Sequence, residues 1–409
     1  MKTISLYFAL AAVALAGAGP AAADDKGNGS QGLGKDARQE LVASGATQYL
    51  GMFSPAVSAD FGDGWVKHTY GNGLDVLFGD GPLCIAGTEY SIFTKAKNPK
   101  NLLIFLQGGG ACWQDFYNCN LFAEEQEPNP GQYFGIWDET NPGNPLADYS
   151  IVYMPYCDGS VFTGDNDVLD PIFPLGVRFH RGLQNASAGI DAAKALFPEA
   201  RRILVAGSSA GGVGAASFAP FLTRISFGNQ VQLSVFNDAG PIAIDLNDFR
   251  GGIPLRAADW AFGQFYPASC TDCSDLGQQN ELVKWRLAND TTIRESFYST
   301  DGDATDRFFL GIFTQEAYRD LIVTEHGEIN AAFPDRYKRF IRSGDDSHTA
   351  LQNPLFYLGT ANGVPLNEWV EDFLRPGSRS YRERDDRGGK LGPKGNAWVD
   401  IVEDFEPIP

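Results

Sequence analysis

The run Arg202-Ile-Leu-Val-Ala-Gly-Ser-Ser-Ala-Gly-Gly-Val-Gly214 restricts the fold more than any other part of this 409-residue chain. Ile203 to Ala206 reads as a buried strand that runs straight into Gly207-Ser-Ser-Ala-Gly211, a G-x-S-x-G pattern. Small, helix-tolerant residues follow at Val213, Ala215 and Ala216. The pattern predicts strand, sharp turn, helix, with Ser209 at the apex. Glycines let the backbone turn that tightly, so the hydroxyl stands exposed above the sheet. The competing reading is a Gly/Ser-rich helix start that binds an anion.

A second strand, Leu102-Leu-Ile-Phe-Leu106, ends in Gln107-Gly-Gly-Gly-Ala-Cys-Trp113. Acyl transfer needs backbone N–H groups aimed at the carbonyl oxygen as it becomes an oxyanion. Glycines supply them because the bare backbone can approach the substrate closely. In α/β-type serine hydrolases one donor follows the nucleophile and the other comes from an early loop of this kind. Here those donors are the amides of Ala210 and of Gly109 or Gly110.

The first residues set the compartment. Met1-Lys2 is a short positive start, Ile4 to Ala16 a weakly polar to apolar core, and Ala21-Ala-Ala23 a small-residue cleavage site. Residues 1–23 are therefore expected to be a secretory signal, which makes the protein secreted or periplasmic. No later segment has the length of apolar sequence that spans a bilayer. Six cysteines, Cys84, Cys112, Cys119, Cys157, Cys270 and Cys273, suit an oxidising compartment. They allow fifteen connectivities. The economical pairing joins Cys112 to Cys119, Cys270 to Cys273 and Cys84 to Cys157. Zinc at Cys270-x-x-Cys273 lacks a second pair at the usual spacing. The formal net charge of -19 argues against nucleic acid and anionic membranes as partners. It also disfavours anionic polymers unless their carboxylates are esterified.

Asp24 to about Arg38 is polar and glycine-rich and reads as a mobile leader. From residue 39 to 409 strand and helix signals alternate without a linker, as in one α/β domain with a mostly parallel sheet covered by helices on both faces. Strands are predicted at Leu74–Phe78, Glu89–Thr94, Leu102–Leu106, Ser150–Met154, Ile203–Ala206, Leu233–Phe236, Glu295–Tyr298 and Arg339–Arg342. Helices are predicted at Gln184–Leu196, Ala210–Thr223, Thr314–Val323 and Leu366–Leu374. Two stretches, about 114–148 and 239–287, break the alternation. They follow strand ends where active-site loops emerge. Their aromatics, Trp260, Phe262, Phe265, Tyr266 and Trp285, either wall a pocket or pack a satellite core.

A serine nucleophile needs a base, and the base needs an orienting acid. The chain has four histidines: His68, His180, His326 and His348. The chain order Ser, acid, His removes the first two. His348 follows a strand and the turn Ser343-Gly-Asp-Asp-Ser347, where the base of this fold sits. His326, in Thr324-Glu-His-Gly327, reads as a solvated turn. Asp301, Asp303 and Asp306 all follow the preceding strand. Gly302 permits a turn that aims Asp303 back over the sheet edge, which makes Asp303 the preferred acid and Asp301 the next. Asp238, after the strand that follows Ser209, is the third alternative. A histidine base also predicts activity that rises with pH through about 6 to 7. No metal or organic cofactor is implied.

Leu106-Gln-Gly-Gly-Gly-Ala-Cys-Trp113, Tyr153-Met-Pro-Tyr-Cys-Asp-Gly-Ser160, Thr163-Gly-Asp165 and Gly207-Ser-Ser-Ala-Gly-Gly212 resemble the pectin acetylesterase family. Phe179-His-Arg-Gly182, Asn237-Asp-Ala-Gly240 and Ser347-His348 add to the likeness, which spans roughly residues 50 to 375. The resemblance implies an α/β-hydrolase fold and a triad of Ser209, an aspartate near Asp303, and His348. It also implies oxyanion amides at Gly109, Gly110 and Ala210, and it supports Cys112–Cys119 and, more loosely, Cys84–Cys157. Gly110 stands where some animal members carry an aromatic, and the cysteines are fewer, so no member's specificity transfers. The expected activity is an exported serine carboxylic-ester hydrolase that deacetylates an O-acetylated carbohydrate. The alternatives are a deacylase or depolymerase for longer acyl chains or polyesters, and an inactive carbohydrate-binding relative.

Overall fold

A ten-stranded sheet runs through the molecule, and its central strands are buried on both faces. The computed structural model describes residues 32–123, 134–243, 252–273, 279–375 and 398–408. The expected signal at 1–23 and the first part of the polar leader lie outside these residues. The strands are β1 (Val57–Gly62), β2 (Trp65–Thr69), β3 (Ser91–Lys95), β4 (Asn98–Leu106), β5 (Gly110–Trp113), β6 (Phe116–Cys119), β7 (Tyr149–Met154), β8 (Asn166–Leu169) and β9 (Val177–His180). They continue with β10 (Arg202–Ser208), β11 (Gln232–Asp238), β12 (Arg294–Thr300), β13 (Tyr337–Arg342), β14 (Thr360–Ala361), β15 (Val364–Pro365) and β16 (Ile401–Val402).

The sheet order is β1-β2-β3-β7-β4-β10-β11-β12-β13-β16. From β7 to β16 every pairing is parallel, and β1, β2 and β3 add an antiparallel edge. Alternation along the strands sorts side chains to two cores. Ile203 and Val205 of β10 join Leu102, Ile104 and Leu106 of β4 on one face. Leu204 and Ala206 join Leu103 and Phe105 on the other. Period-2 side-chain direction requires this split. Helix Gly182–Leu196 covers the first face through Leu183, Ala186, Ile190 and Ala193. Helix Leu366–Leu374 covers the second through Leu366, Trp369, Val370 and Phe373. The first set is spaced i, i+3, i+7, i+10 and the second i, i+3, i+4, i+7, each the spacing of one helical face.

Several expectations change. Leu74–Phe78, predicted as a strand, contains the short helix Leu74–Leu77, with Leu74 and Phe78 exposed. The polar leader expected to reach Arg38 gives way at Lys35 to helix Lys35–Ala43, held by buried Ala37 and Leu41. The single helix predicted at Ala210–Thr223 is two, Ala210–Ala216 and Ala219–Phe227. Pro220 opens the second, as proline does where its missing N–H costs nothing. Buried Arg286 bonds the carbonyls of Ala216 and Ser217 that the break releases. It is itself paired with Glu295 at 2.7 Å. All six cysteines are paired as the economical scheme has it: Cys84–Cys157, Cys112–Cys119 and Cys270–Cys273. Among the described residues no helix is long and apolar enough to cross a membrane.

Candidate active site

Strand β10 delivers Ser208, and helix Ala210–Ala216 starts two residues later, which leaves Ser209 alone in the turn. Its backbone sits at φ 57°, ψ -123°, a positive φ that side-chain-bearing residues rarely adopt. The flanking glycines are steric requirements. A Cβ on Gly207 would lie 2.1 Å from the Gly211 carbonyl oxygen, and one on Gly211 would lie 2.0 Å from that of Leu106. The Ser209 amide donates to the Asp238 carbonyl at 2.8 Å, which ties the strained turn to β11.

The glycine run after β4 lies against this turn. A Cβ on Gly108 would be 2.6 Å from the Ser208 carbonyl oxygen and 2.8 Å from the Ser209 Cβ. Hairpin β5–β6 follows at once, with Gly110 opposite Cys119 and the Cys112–Cys119 disulfide closing it. The Cys112 amide donates to the Gly159 carbonyl at 2.8 Å, which fixes the hairpin to the segment after β7. Ala210, first residue of its helix, has an amide with no intrahelical acceptor.

His348 comes from the loop after β13 and Asp303 from the turn after β12. His348 Nδ1 bonds Asp303 Oδ2 at 2.7 Å. The other Asp303 oxygen accepts from the Thr305 and Asp306 amides at 3.0 and 2.9 Å, so Asp303 is also the N-cap of helix Ala304–Leu310. Thr300 Oγ1 donating to the Ser347 carbonyl, and the Ala304 amide to that of Asp346, bind the two loops together. Burial opposes charge on His348, yet the Asp303 bond and the Asp306, Asp303 and Asp238 charges outweigh it and raise the ring to about 9. An imidazole so placed gives up its proton at higher pH than an ordinary histidine, whose range is about 6 to 7. His348 Nε2 has no hydrogen-bond partner among the described residues.

The alternative residues lie elsewhere. Asp301 accepts from Gln315 Nε2, Arg319 Nη1 and Ser343 Oγ. Asp238, wholly buried, accepts from Ser208 Oγ at 2.5 Å and from the Ala350 and Leu351 amides at 2.8 and 3.0 Å. It thus anchors the His348 loop, and burial pushes its carboxyl up to about 6. His326 is not a solvated turn. It lies inside helix Gln315–Ala332, stacked on Phe297 at 3.6 Å and bonded to the Tyr337 hydroxyl at 2.6 Å, with burial pressing it down to about 3.

Asp306, named among the candidates by position alone, proves to be the third member of the His348 cluster. Its Oδ1 lies 3.7 Å from His348 Nδ1. Asp303, Asp306 and His348 bring one atom each to within 4.8 Å of one another, a spacing at which a metal could be held. Hydrogen bonds to the ring and to two amides already engage both Asp303 oxygens.

Two cavities meet at Ser209. One, about 60 Å³, is largely apolar, with Trp113, Val161, Val213, Trp260, Phe262 and Phe309 around Ala210. The other, about 410 Å³ and open to solvent, is of mixed polarity, with Asn118, Asn120, Thr305, Thr349, Gln352 and His348 beside Gly108–Gly110. The aromatics of the second insertion divide between the two roles foreseen for them. Trp260 and Phe262 wall the cavity, while Phe265 and Tyr266 pack on Phe218, and Trp285 on Phe221. Phe309 and Gln352 carried no sequence signal, because neither belongs to a motif and only the fold brings them to Ser209.

The fold defines an α/β-hydrolase-like protein, with the serine elbow and the glycine run at neighbouring ends of its parallel strands. Residues 75–268 match the family model for pectinacetylesterase, a family of esterases, and over that stretch the chain is similar to it. The match includes the glycine run and the elbow, and it stops before Asp303 and His348. No curated protein matches the chain.

Proposed function

We propose that this chain is an exported serine esterase that removes the acyl group, acetyl above all, from an O-acylated carbohydrate through an acyl-enzyme. The observation that carries the reading is the Asp303–His348 bond at 2.7 Å on a cavity shared with Ser209 and the glycine run. In this reading His348 Nε2 takes the Ser209 proton as Oγ attacks the ester carbonyl. The amides of Ala210 and of Gly109 or Gly110 hold the oxyanion, and His348 returns the proton to the leaving alcohol. Water then repeats the steps to free the acid. Since His348 protonates the alcohol, the alcohol occupies the cavity that His348 lines. Asn118, Asn120 and Gln352 give that cavity the donors and acceptors a sugar needs. Three disulfides support export.

The apolar cavity favours a second reading, an acyl chain longer than acetyl. It borders Ala210 rather than His348, so it lies on the acyl side, and its aromatic lining suits a hydrocarbon. A p-nitrophenyl ester series from acetate to palmitate, run with wild type and Ser209→Ala, tests both readings. Wild type should peak at short chains, and the variant should lose ~10⁴-fold or more in kcat. A peak at long chains would establish the second reading. Near-normal turnover by Ser209→Ala, or none by wild type, would overturn both.

A further inference from the structure

Asp306 is wholly buried, and its surroundings are unusual for a carboxyl group. The Tyr318 hydroxyl donates to Oδ2 at 2.8 Å, while Oδ1 has no hydrogen-bond partner among the described residues and lies 3.7 Å from His348 Nδ1. The titratable groups around it are Asp303 on its own helix, His348 from the loop after β13, Tyr318 from helix Gln315–Ala332 and Asp238 at the end of β11. The only one of these that can be cationic is the imidazole.

We propose that Asp306 is a positioning residue that sets the pH at which the esterase switches on, by holding His348 in its protonated form until the medium is alkaline. The proposal rests on the reading of Ser209 and His348 as nucleophile and base. Burial and the neighbouring Asp303 keep Asp306 well above the usual carboxylate range, so ring and carboxyl retain a proton between them. The ring is its better place. The Nδ1 proton is in the bond to Asp303 in the neutral ring too, so the mobile proton sits on Nε2, at the solvent-open cavity that His348 lines, whereas on Asp306 Oδ1 it would be a buried donor with no partner among the described residues. An ionised Asp306 then favours the imidazolium, and the imidazolium favours the ionised carboxyl. A neutral ring, the form that accepts the serine proton, leaves two buried carboxylates side by side with no counter-charge. The sign follows: removing the Asp306 charge lowers the pH at which His348 becomes a base.

Asp306→Asn keeps the side-chain shape and an oxygen for the Tyr318 hydroxyl. The test is the pH profile of kcat/KM for p-nitrophenyl acetate, with an NMR titration of the His348 ring in the same proteins. The spectroscopic window is clear, since burial lowers His68 and presses His180 and His326 to about 3. Wild type should show its midpoint near 9. Asp306→Asn should move both midpoints down by at least about one pH unit, with plateau kcat within roughly tenfold of wild type. Tyr318→Phe, which withdraws the donor that stabilises the carboxylate, should move them the same way by less. Superimposable midpoints in wild type and Asp306→Asn overturn the proposal. Should that variant not fold, an unmoved ring midpoint in Tyr318→Phe overturns it instead. Activity surviving in Ser209→Ala would fell the functional reading alone, because the ring titration still measures what Asp306 does to His348.

Discussion

Asp303 performs two tasks with two different oxygens, and one substitution separates them. Oδ1 caps helix Ala304–Leu310 through the Thr305 and Asp306 amides, while Oδ2 holds His348 Nδ1. Asparagine is as good an N-cap as aspartate, so Asp303→Asn should keep the helix start. Alanine should lose it at a cost of about 0.5–2 kcal/mol. On the other side, the Asn amide group presents donors to Nδ1 and forces the ring into the tautomer that leaves Nε2 carrying its proton. Such a ring cannot accept the serine proton, and the rate should fall by on the order of 10³ to 10⁴. That is a barrier increase of about 4 to 5.5 kcal/mol. The assay pairs kcat on p-nitrophenyl acetate with denaturant unfolding for both variants. Both should be crippled, and only the alanine variant should be measurably less stable. Retention of more than about a tenth of wild-type turnover by Asp303→Asn would refute the assignment. Equal stability losses in the two variants would refute the cap.

Three further outcomes follow from the buried polar groups. Asp238→Asn keeps at least about a tenth of the turnover but loses roughly 1–3 kcal/mol in unfolding experiments, because one amide group cannot accept from all of Ser208, Ala350 and Leu351. His326→Gln leaves turnover intact and lowers the melting temperature, whereas His348→Gln abolishes turnover; the reverse pattern would move the base to His326. Asp158, fully buried, is pushed up to about 6 by desolvation, so the folded state holds its proton over a range where the unfolded chain has released it. Its contribution to stability therefore falls as pH rises from about 4 to about 6, by up to about 3 kcal/mol. Urea unfolding across that range should show wild type losing ground against Asp158→Asn, and a pH-independent difference would refute the shift.

Sequence periodicity found the elements whose two faces are both buried. Strands β4, β7 and β10 are apolar or β-branched through most of their length, and a run buried on both sides has no rival reading once Gly or Pro bounds it. The edge of the sheet was harder. Val57–Gly62 is largely exposed, so β1 carries no apolar pattern, and its register is visible only in its pairing with β2. Leu74-Asp-Val-Leu-Phe78 is as apolar as a short strand, but Leu74 and Phe78 face solvent from a single helical turn, where burial never enforced a pattern. His326 was misjudged because its neighbours Glu325 and Gly327 are polar or small. What buries it is Phe297 and Tyr337, which lie on the strands β12 and β13 on either side of its helix in the chain. The catalytic candidates were legible to the extent that they sit at strand ends. Which of Asp301, Asp303 and Asp238 touches His348 depended on one turn's geometry, which no spacing rule resolves.

The Cys112–Cys119 bridge clamps the hairpin that begins at Gly110, and Cys84–Cys157 fastens the segment behind it, while the parallel strands themselves hold no cysteine. The two bridges therefore restrain the loops beside Ser209 and leave the sheet to hydrophobic burial, so reduction should loosen the glycine run before it unfolds the strands.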